Sequence, residues 1–98
     1  MKKNWLIIFI FILFQSNLFA EENKFFSKGK NFFEVKKYDE AKFQFEKDIV
    51  FNPKSEKSYL YLAKIYNKKE EQKKEQQNLD TVLLIEPSNE EAILMSMK

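Results

Sequence analysis

Neither cysteine nor histidine occurs among the 98 residues, arginine is absent, and there are one glycine and two prolines. Without cysteine there is no disulfide framework and no thiolate zinc site. Without histidine as well, Ser–His and Cys–His nucleophile machinery is excluded. A single Gly cannot build a glycine-rich phosphate loop, and so few turn residues count against a β fold rich in tight turns. All 17 cations are lysines, which weakens any case for bidentate recognition of phosphate or bases. What remains is Lys, Glu, Phe, Leu and Ile, the palette of helices.

One apolar run stands out. Met1-Lys2-Lys3-Asn4 precedes ten uninterrupted apolar residues, Trp5 to Phe14, followed by Gln15-Ser16-Asn17, Leu18-Phe19-Ala20 and the charged pair Glu21-Glu22. A positive start, a short apolar centre and a small residue before a polar boundary are the marks of a secretory signal peptide. As a helix the run measures about 15 Å, roughly half a bilayer core. The expectation is export across a bacterial-type inner membrane and cleavage after Ala20, giving a periplasmic or envelope-associated protein; retention of the segment as a membrane tether is the alternative. No Cys stands at the junction to carry a lipid anchor.

Cleavage at that point would leave residues 21–98, long enough for one small domain and too short for two. All 15 acids lie from Glu21 onward, and losing Lys2 and Lys3 leaves 15 lysines against them. The domain is formally neutral, so the basic balance of the full chain is no sign of nucleic-acid binding.

Asn52-Pro53 and Glu86-Pro87 lie 34 residues apart, each closing an apolar stretch (Ile49-Val50-Phe51 and Leu83-Leu84-Ile85). Phe25, Gly29 and Phe32, and again Tyr59, Ala63 and Tyr66, are spaced i, i+4, i+7 and form one stripe on a helix. Gly29 and Ala63 are small where two helices of a hairpin approach, and Ala41 supplies the facing small side chain. Phe45 and Ile49 continue the second helix in steps of four, and Pro53 forces Asn52 out of the helical region. The pattern predicts helices over Glu22–Lys36, Asp39–Phe51, Ser55–Lys69, Glu71–Ile85 and Asn89–Met97, with Asp39, Ser55 and Asn89 as N-caps. The all-polar stretch Asn67–Asn78 predicts a weakly packed start to the fourth helix.

Residues 22–55 place Phe25, Gly29, Phe32, Tyr38, Ala41, Phe45 and Pro53, and residues 56–89 place Tyr59, Leu62, Ala63, Tyr66, Leu79, Val82 and Pro87, at the landmarks of a 34-residue helical repeat. In these residues the chain resembles the tetratricopeptide-repeat family, with residues 90–98 opening a partial third unit or capping helix. The resemblance implies an all-α array of antiparallel helix hairpins. The second unit departs from it at Gln72 and Glu75, where the first has Tyr38 and Ala41. A carboxylate in that close-approach slot is expected either to splay the second hairpin or to be turned outward.

Catalytic material is sparse. Glu21/Glu22, Glu70/Glu71 and Glu90/Glu91 are adjacent carboxylates, which on a helix point about 100° apart and do not converge. Lys68 to Glu75 is a mixed-sign run with the character of a solvated face. No metal-ligand spacing appears, no cofactor is implied, and no enzyme activity is expected. The family resemblance implies instead a concave groove, lined by the first helix of each repeat, that holds a protein or peptide. Carried onto this chain, the groove residues are Phe26, Lys30 and Phe33 from the first unit and Leu60, Tyr61, Lys64, Asn67 and Lys68 from the second. Lys30 and Lys64 occupy matching slots and resemble part of a carboxylate-gripping site. Two units and a stub are fewer than a stacked array usually needs, so Ile93, Leu94 and Met97 are expected to form an exposed apolar end that docks a partner or a second copy. The expected function is a non-catalytic binding adaptor of the cell envelope, with no nucleic-acid partner. A membrane-tethered assembly factor or a structural repeat fragment without its own ligand are the alternatives.

Overall fold

The computed structural model describes residues 24–97, so the expected signal segment at 1–20 lies outside the described residues. Among these, helices α1 (residues 24–34), α2 (Tyr38–Phe51), α3 (Glu56–Lys68), α4 (Gln72–Ile85) and α5 (Glu90–Ser96) follow one another, and no strand occurs. Each expected helix is present within two or three residues of its expected ends. No described helix is long and apolar enough to cross a membrane.

Side-chain contacts fix the directions of neighbouring helices. Phe25 at the start of α1 stacks on Phe51 at the end of α2, while Phe33 near the end of α1 meets Tyr38 at the start of α2. Likewise Lys69, just past α3, pairs with Asp39 at the start of α2, and Ser58 near the start of α3 bonds Asp48 toward the end of α2. These pairs therefore run antiparallel; Asn67 at the end of α3 likewise meets Glu75 at the start of α4, and α5 packs on α4.

Two kinds of turn alternate. After α1, Lys36 takes the left-handed conformation (φ 64°), with Lys36 N–H donating to Phe33 O at 3.0 Å and Lys37 N–H to Phe32 O at 2.9 Å. After α3, Glu70 (φ 59°) does the same, its N–H donating to Asn67 O at 3.1 Å and Glu71 N–H to Tyr66 O at 2.9 Å. This is the Schellman closure usually given to glycine. At the other junctions Pro53 and Pro87 end the helices: Asn52 N–H donates to Asp48 O at 2.7 Å and Glu86 N–H to Val82 O at 2.8 Å. Both turn types recur 34 residues apart.

The core divides in two. Ala41, Phe45, Leu62, Ile65 and Tyr66 are buried together between α1, α2 and α3; Leu60, Ala63, Leu79, Val82 and Ala92 are buried between α3, α4 and α5. Gly29 is buried against the Phe45 ring, and a Cβ placed on it would lie 2.7 Å from Phe45 Cε1. The small residue is thus required by the depth of Phe45 rather than by backbone conformation.

Two matched junctions differ in chemistry. Ser58 Oγ donates to Asp48 Oδ2 at 2.5 Å with both residues buried. Thirty-four residues on, the same places hold Val82 and Ala92, also buried. A polar pair and an apolar pair fill the same space.

Two expectations are corrected. Asp39 is not the N-cap of α2: Lys37 holds that place without a side-chain cap, and Asp39 lies in the first turn where its carboxylate reaches Lys69. Glu75 neither splays the second hairpin nor turns outward; it is buried, at 8% exposure, and accepts a hydrogen bond from Asn67 Nδ2 at 3.1 Å. The start of α4 is accordingly tied to α3, with Lys74 Nζ also lying 5.6 Å from the Tyr66 ring centre. Ser55 does stand at the N-cap of α3, although its side chain caps no backbone N–H. Asn89 caps α5 through Ala92 N–H at 2.9 Å.

Candidate functional site

A shallow groove of about 330 Å³ opens between α1, α3 and the beginning of α5. Its lining comes from α1, α3 and the start of α5, with no residue of α2 or α4 among it. Phe26 and Lys30 of α1, Leu60, Tyr61 and Lys64 of α3, and Glu91 of α5 line it.

Its floor is aromatic and rigid. The Tyr61 ring stacks on the buried Phe45 at 5.1 Å and 22°, and receives Phe26 edge-on at 5.7 Å and Phe33 edge-on at 5.2 Å. Offset and edge-to-face contacts of this kind fix ring positions as well as burying area. Phe26 and Tyr61 therefore serve the core with one face and the groove with the other.

The rim is charged. Lys64 Nζ is 2.6 Å from Glu91 Oε2 and 4.8 Å from the Tyr61 ring centre, so the ammonium is held over the groove by a carboxylate and a ring face together. Glu56 Oε2 accepts from Asn89 Nδ2 at 3.0 Å, joining α3 to the turn before α5. Lys30 and Lys57 add positive charge at the same opening.

Of the eight residues expected from sequence, Phe26, Lys30, Leu60, Tyr61 and Lys64 are brought together in this groove. Phe33 is half-buried between Tyr38 and Tyr61 and serves as packing. Asn67 is engaged by Glu75 and borders a different, polar cleft of about 870 Å³ with Glu70, Gln72 and Ser96. Lys68 is exposed at the end of α3. Glu56, Lys57, Asn89 and Glu91 line the groove without having been expected there. No stripe marked Glu91: the residue 34 places before it is Lys57, which was not expected in the groove either.

The groove thus sets an aromatic floor under a rim of mixed charge. No group of three or more Asp and Glu side chains suited to a metal ion occurs among the described residues. The carboxyl groups held below their ordinary range are elsewhere: Asp39, through its hydrogen bond and ion pair with Lys69, and Glu86, through hydrogen bonds from the Ser88 hydroxyl and N–H. Set beside known protein families and curated proteins, the chain matches none of them.

Proposed function

We propose that this protein is a non-catalytic adaptor built on tetratricopeptide-type helix hairpins, and that it holds a segment of a partner protein in the groove between α1, α3 and α5. The observation that carries the reading is the groove itself: a rigid aromatic floor of Phe26 and Tyr61 beneath lysine ammonium groups, one of which, Lys64, already grips a carboxylate. An extended segment offering an apolar side chain flanked by acids matches that floor and rim. The signal-like pattern of residues 1–20 supports a location in the periplasm or at the cell envelope for this activity.

The test is crosslinking in the native envelope with the wild-type chain and a Lys30→Glu/Lys64→Glu variant. Loss of a crosslinked protein from the variant, with its retention by a Lys73→Glu control, supports the groove. An unchanged set of partners overturns it and favours a repeat fragment without its own ligand.

The far end supplies a second contact in this proposal. Leu94 and Met97 are 66% and 74% exposed, and Ile93 is partly exposed beside them. Association of two copies through this end makes the melting temperature rise with protein concentration; a constant value and a monomer in sedimentation remove it.

A further inference from the structure

The outer face of α2 carries a feature that the hairpin fold does not require. Phe43, Lys47, Val50 and Phe51 are spaced i, i+4, i+7, i+8 and form one stripe, with Phe43, Val50 and Phe51 at 56%, 77% and 60% exposure. Phe25 of α1 lies parallel to Phe51, with ring centres 5.4 Å apart. Lys47 Nζ sits 4.5 Å from the Phe43 ring centre and 5.4 Å from that of Phe25. Thirty-four residues later the same stripe of α4 reads Gln77, Thr81, Leu84 and Ile85. The second hairpin packs without aromatic rings or a lysine there, so core formation does not explain their presence in the first.

We propose that the stripe Phe43–Lys47–Val50–Phe51, together with Phe25, seats on the headgroup layer of an anionic phospholipid bilayer. The chemistry fits both layers of that interface. Phenyl rings and a valine enter the boundary of the acyl region, while Lys47, already placed against the rings, turns its ammonium to the phosphates. Glu46, exposed between Phe43 and Val50, lies on the same face, and exposed Lys24 and Lys28 on α1 and Lys54 after α2 together with Lys47 outnumber it near that end of the hairpin.

Chain continuity points to the same occupant. The apolar run Trp5–Phe14, which the sequence assigns to a bilayer at least during export, is joined to Phe25 by ten residues. Fully extended, that connection reaches at most about 40 Å. Phe25 and Phe51 lie at the end of the hairpin where the chain enters α1, so the stripe is kept close to any membrane that holds the run, at raised effective concentration. This continuity holds for the chain that keeps residues 1–20, the tethered alternative; the exposed rings and their lysines are present in either form, and neither depends on what the groove binds.

The absence of cysteine allows a direct test on the full chain. Single nitroxide labels are placed through Val50→Cys and Leu84→Cys, matched exposed positions on α2 and α4. Collision with a water-soluble paramagnetic reagent is then measured with and without phosphatidylcholine–phosphatidylglycerol vesicles. Accessibility at position 50 is expected to fall about tenfold on adding vesicles, the ratio set by a free-energy preference of 1.4 kcal/mol, while position 84 stays aqueous. Adding Phe43→Ser and Phe51→Ser, both at exposed sites, returns position 50 to water. The proposal is overturned if both positions respond alike, if position 50 is shielded before vesicles are added (a second copy or the chain's own leader covering it), or if the serine substitutions leave it shielded. Cleavage of residues 1–20, read separately by mass, tests the assignment of that segment and not the stripe.

Discussion

Asn67 and Glu75 take the places that Phe33 and Ala41 hold one hairpin earlier, and they meet by a hydrogen bond, Nδ2 to Oε2 at 3.1 Å. In the first hairpin these places hold a ring and a methyl of one apolar cluster; in the second they hold an amide and a carboxylate that bond each other. The two changes compensate one another, because the Glu75 side chain is buried and a buried carboxylate without a donor is costly. Asn67→Ala is therefore expected to lower stability by about 2 kcal/mol, measured by urea unfolding followed by circular dichroism. Restoring the pattern of the first hairpin with Asn67→Phe and Glu75→Ala together should recover most of that loss. Strictly additive single and double variants would show that the two sites are uncoupled.

Lys36 and Glu70 adopt left-handed backbone conformations that cost a side-chain-bearing residue more than glycine. Glu70→Gly should stabilise the chain by about 0.5–1 kcal/mol, raising the melting temperature by a few degrees. Gln77→Gly, at an exposed position inside α4, should cost about 1 kcal/mol. Opposite signs for one replacement type isolate the backbone effect. A loss at Glu70 would mean that its side chain contributes more than the turn.

Gly29→Ala separates helix propensity from packing. In an exposed helix the change gains about 1 kcal/mol, but here the new methyl would lie 2.7 Å, 2.8 Å and 2.9 Å from three atoms of the Phe45 ring. That ring is fully buried and stacked on Tyr61, so it has little room to retreat. A net loss of about 1–3 kcal/mol is expected. Pairing it with Phe45→Leu should soften the loss, and melting curves of the four variants read the coupling.

The helices were legible from sequence because apolar spacing and the two Asn/Glu-Pro boundaries pointed to the same elements. Phe45, Ala41 and Ala63 were legible as core for the same reason. The turns after α1 and α3 carried no such mark, since Lys36 and Glu70 stand where glycine would have announced them. Glu75 was misplaced because its burial depends on Asn67, eight residues away in sequence and across the hairpin in space. In the groove, the α1 and α3 residues followed from helical register, whereas Glu91 entered through a contact between helices that no single stripe contains.

Asp39 and Lys69 give the chain a pH signature. The hydrogen bond and charge of Lys69 hold the Asp39 carboxyl below its ordinary 3.8, and Asp39 raises Lys69 above 10.5. The Asp39 contribution is fully present above pH 3.8 and is lost as pH falls through the lowered value; the Lys69 contribution is present below pH 10.5 and is lost as pH rises through the raised one. Carbon-detected titration of the Asp39 carboxyl should show the depression, and Lys69→Gln should return it toward 3.8. Both groups are at the surface, so 1 M salt should shrink the shift. An Asp39 titration unaffected by Lys69→Gln would remove the pair.

Lys64 and Glu91 allow the groove to be probed by chemistry that reads the contact itself. A zero-length carbodiimide crosslinker joins an amine to a carboxylate already in contact, so the wild-type chain should yield an internal link between residues 64 and 91, separated by 2.6 Å. Glu91→Gln removes the link. Because the pair is partly exposed, the substitution should cost no more than about 0.5 kcal/mol of stability. It leaves the Lys64 ammonium over the Tyr61 ring with no carboxylate of its own chain 2.6 Å away. Under the proposed function, carbodiimide links from Lys64 to a partner's acidic side chain should then increase, and Lys64→Gln should abolish them. Unchanged partner links in the Glu91→Gln chain, with the internal link lost, would show that Glu91 does not compete for the groove and that the partner is held elsewhere.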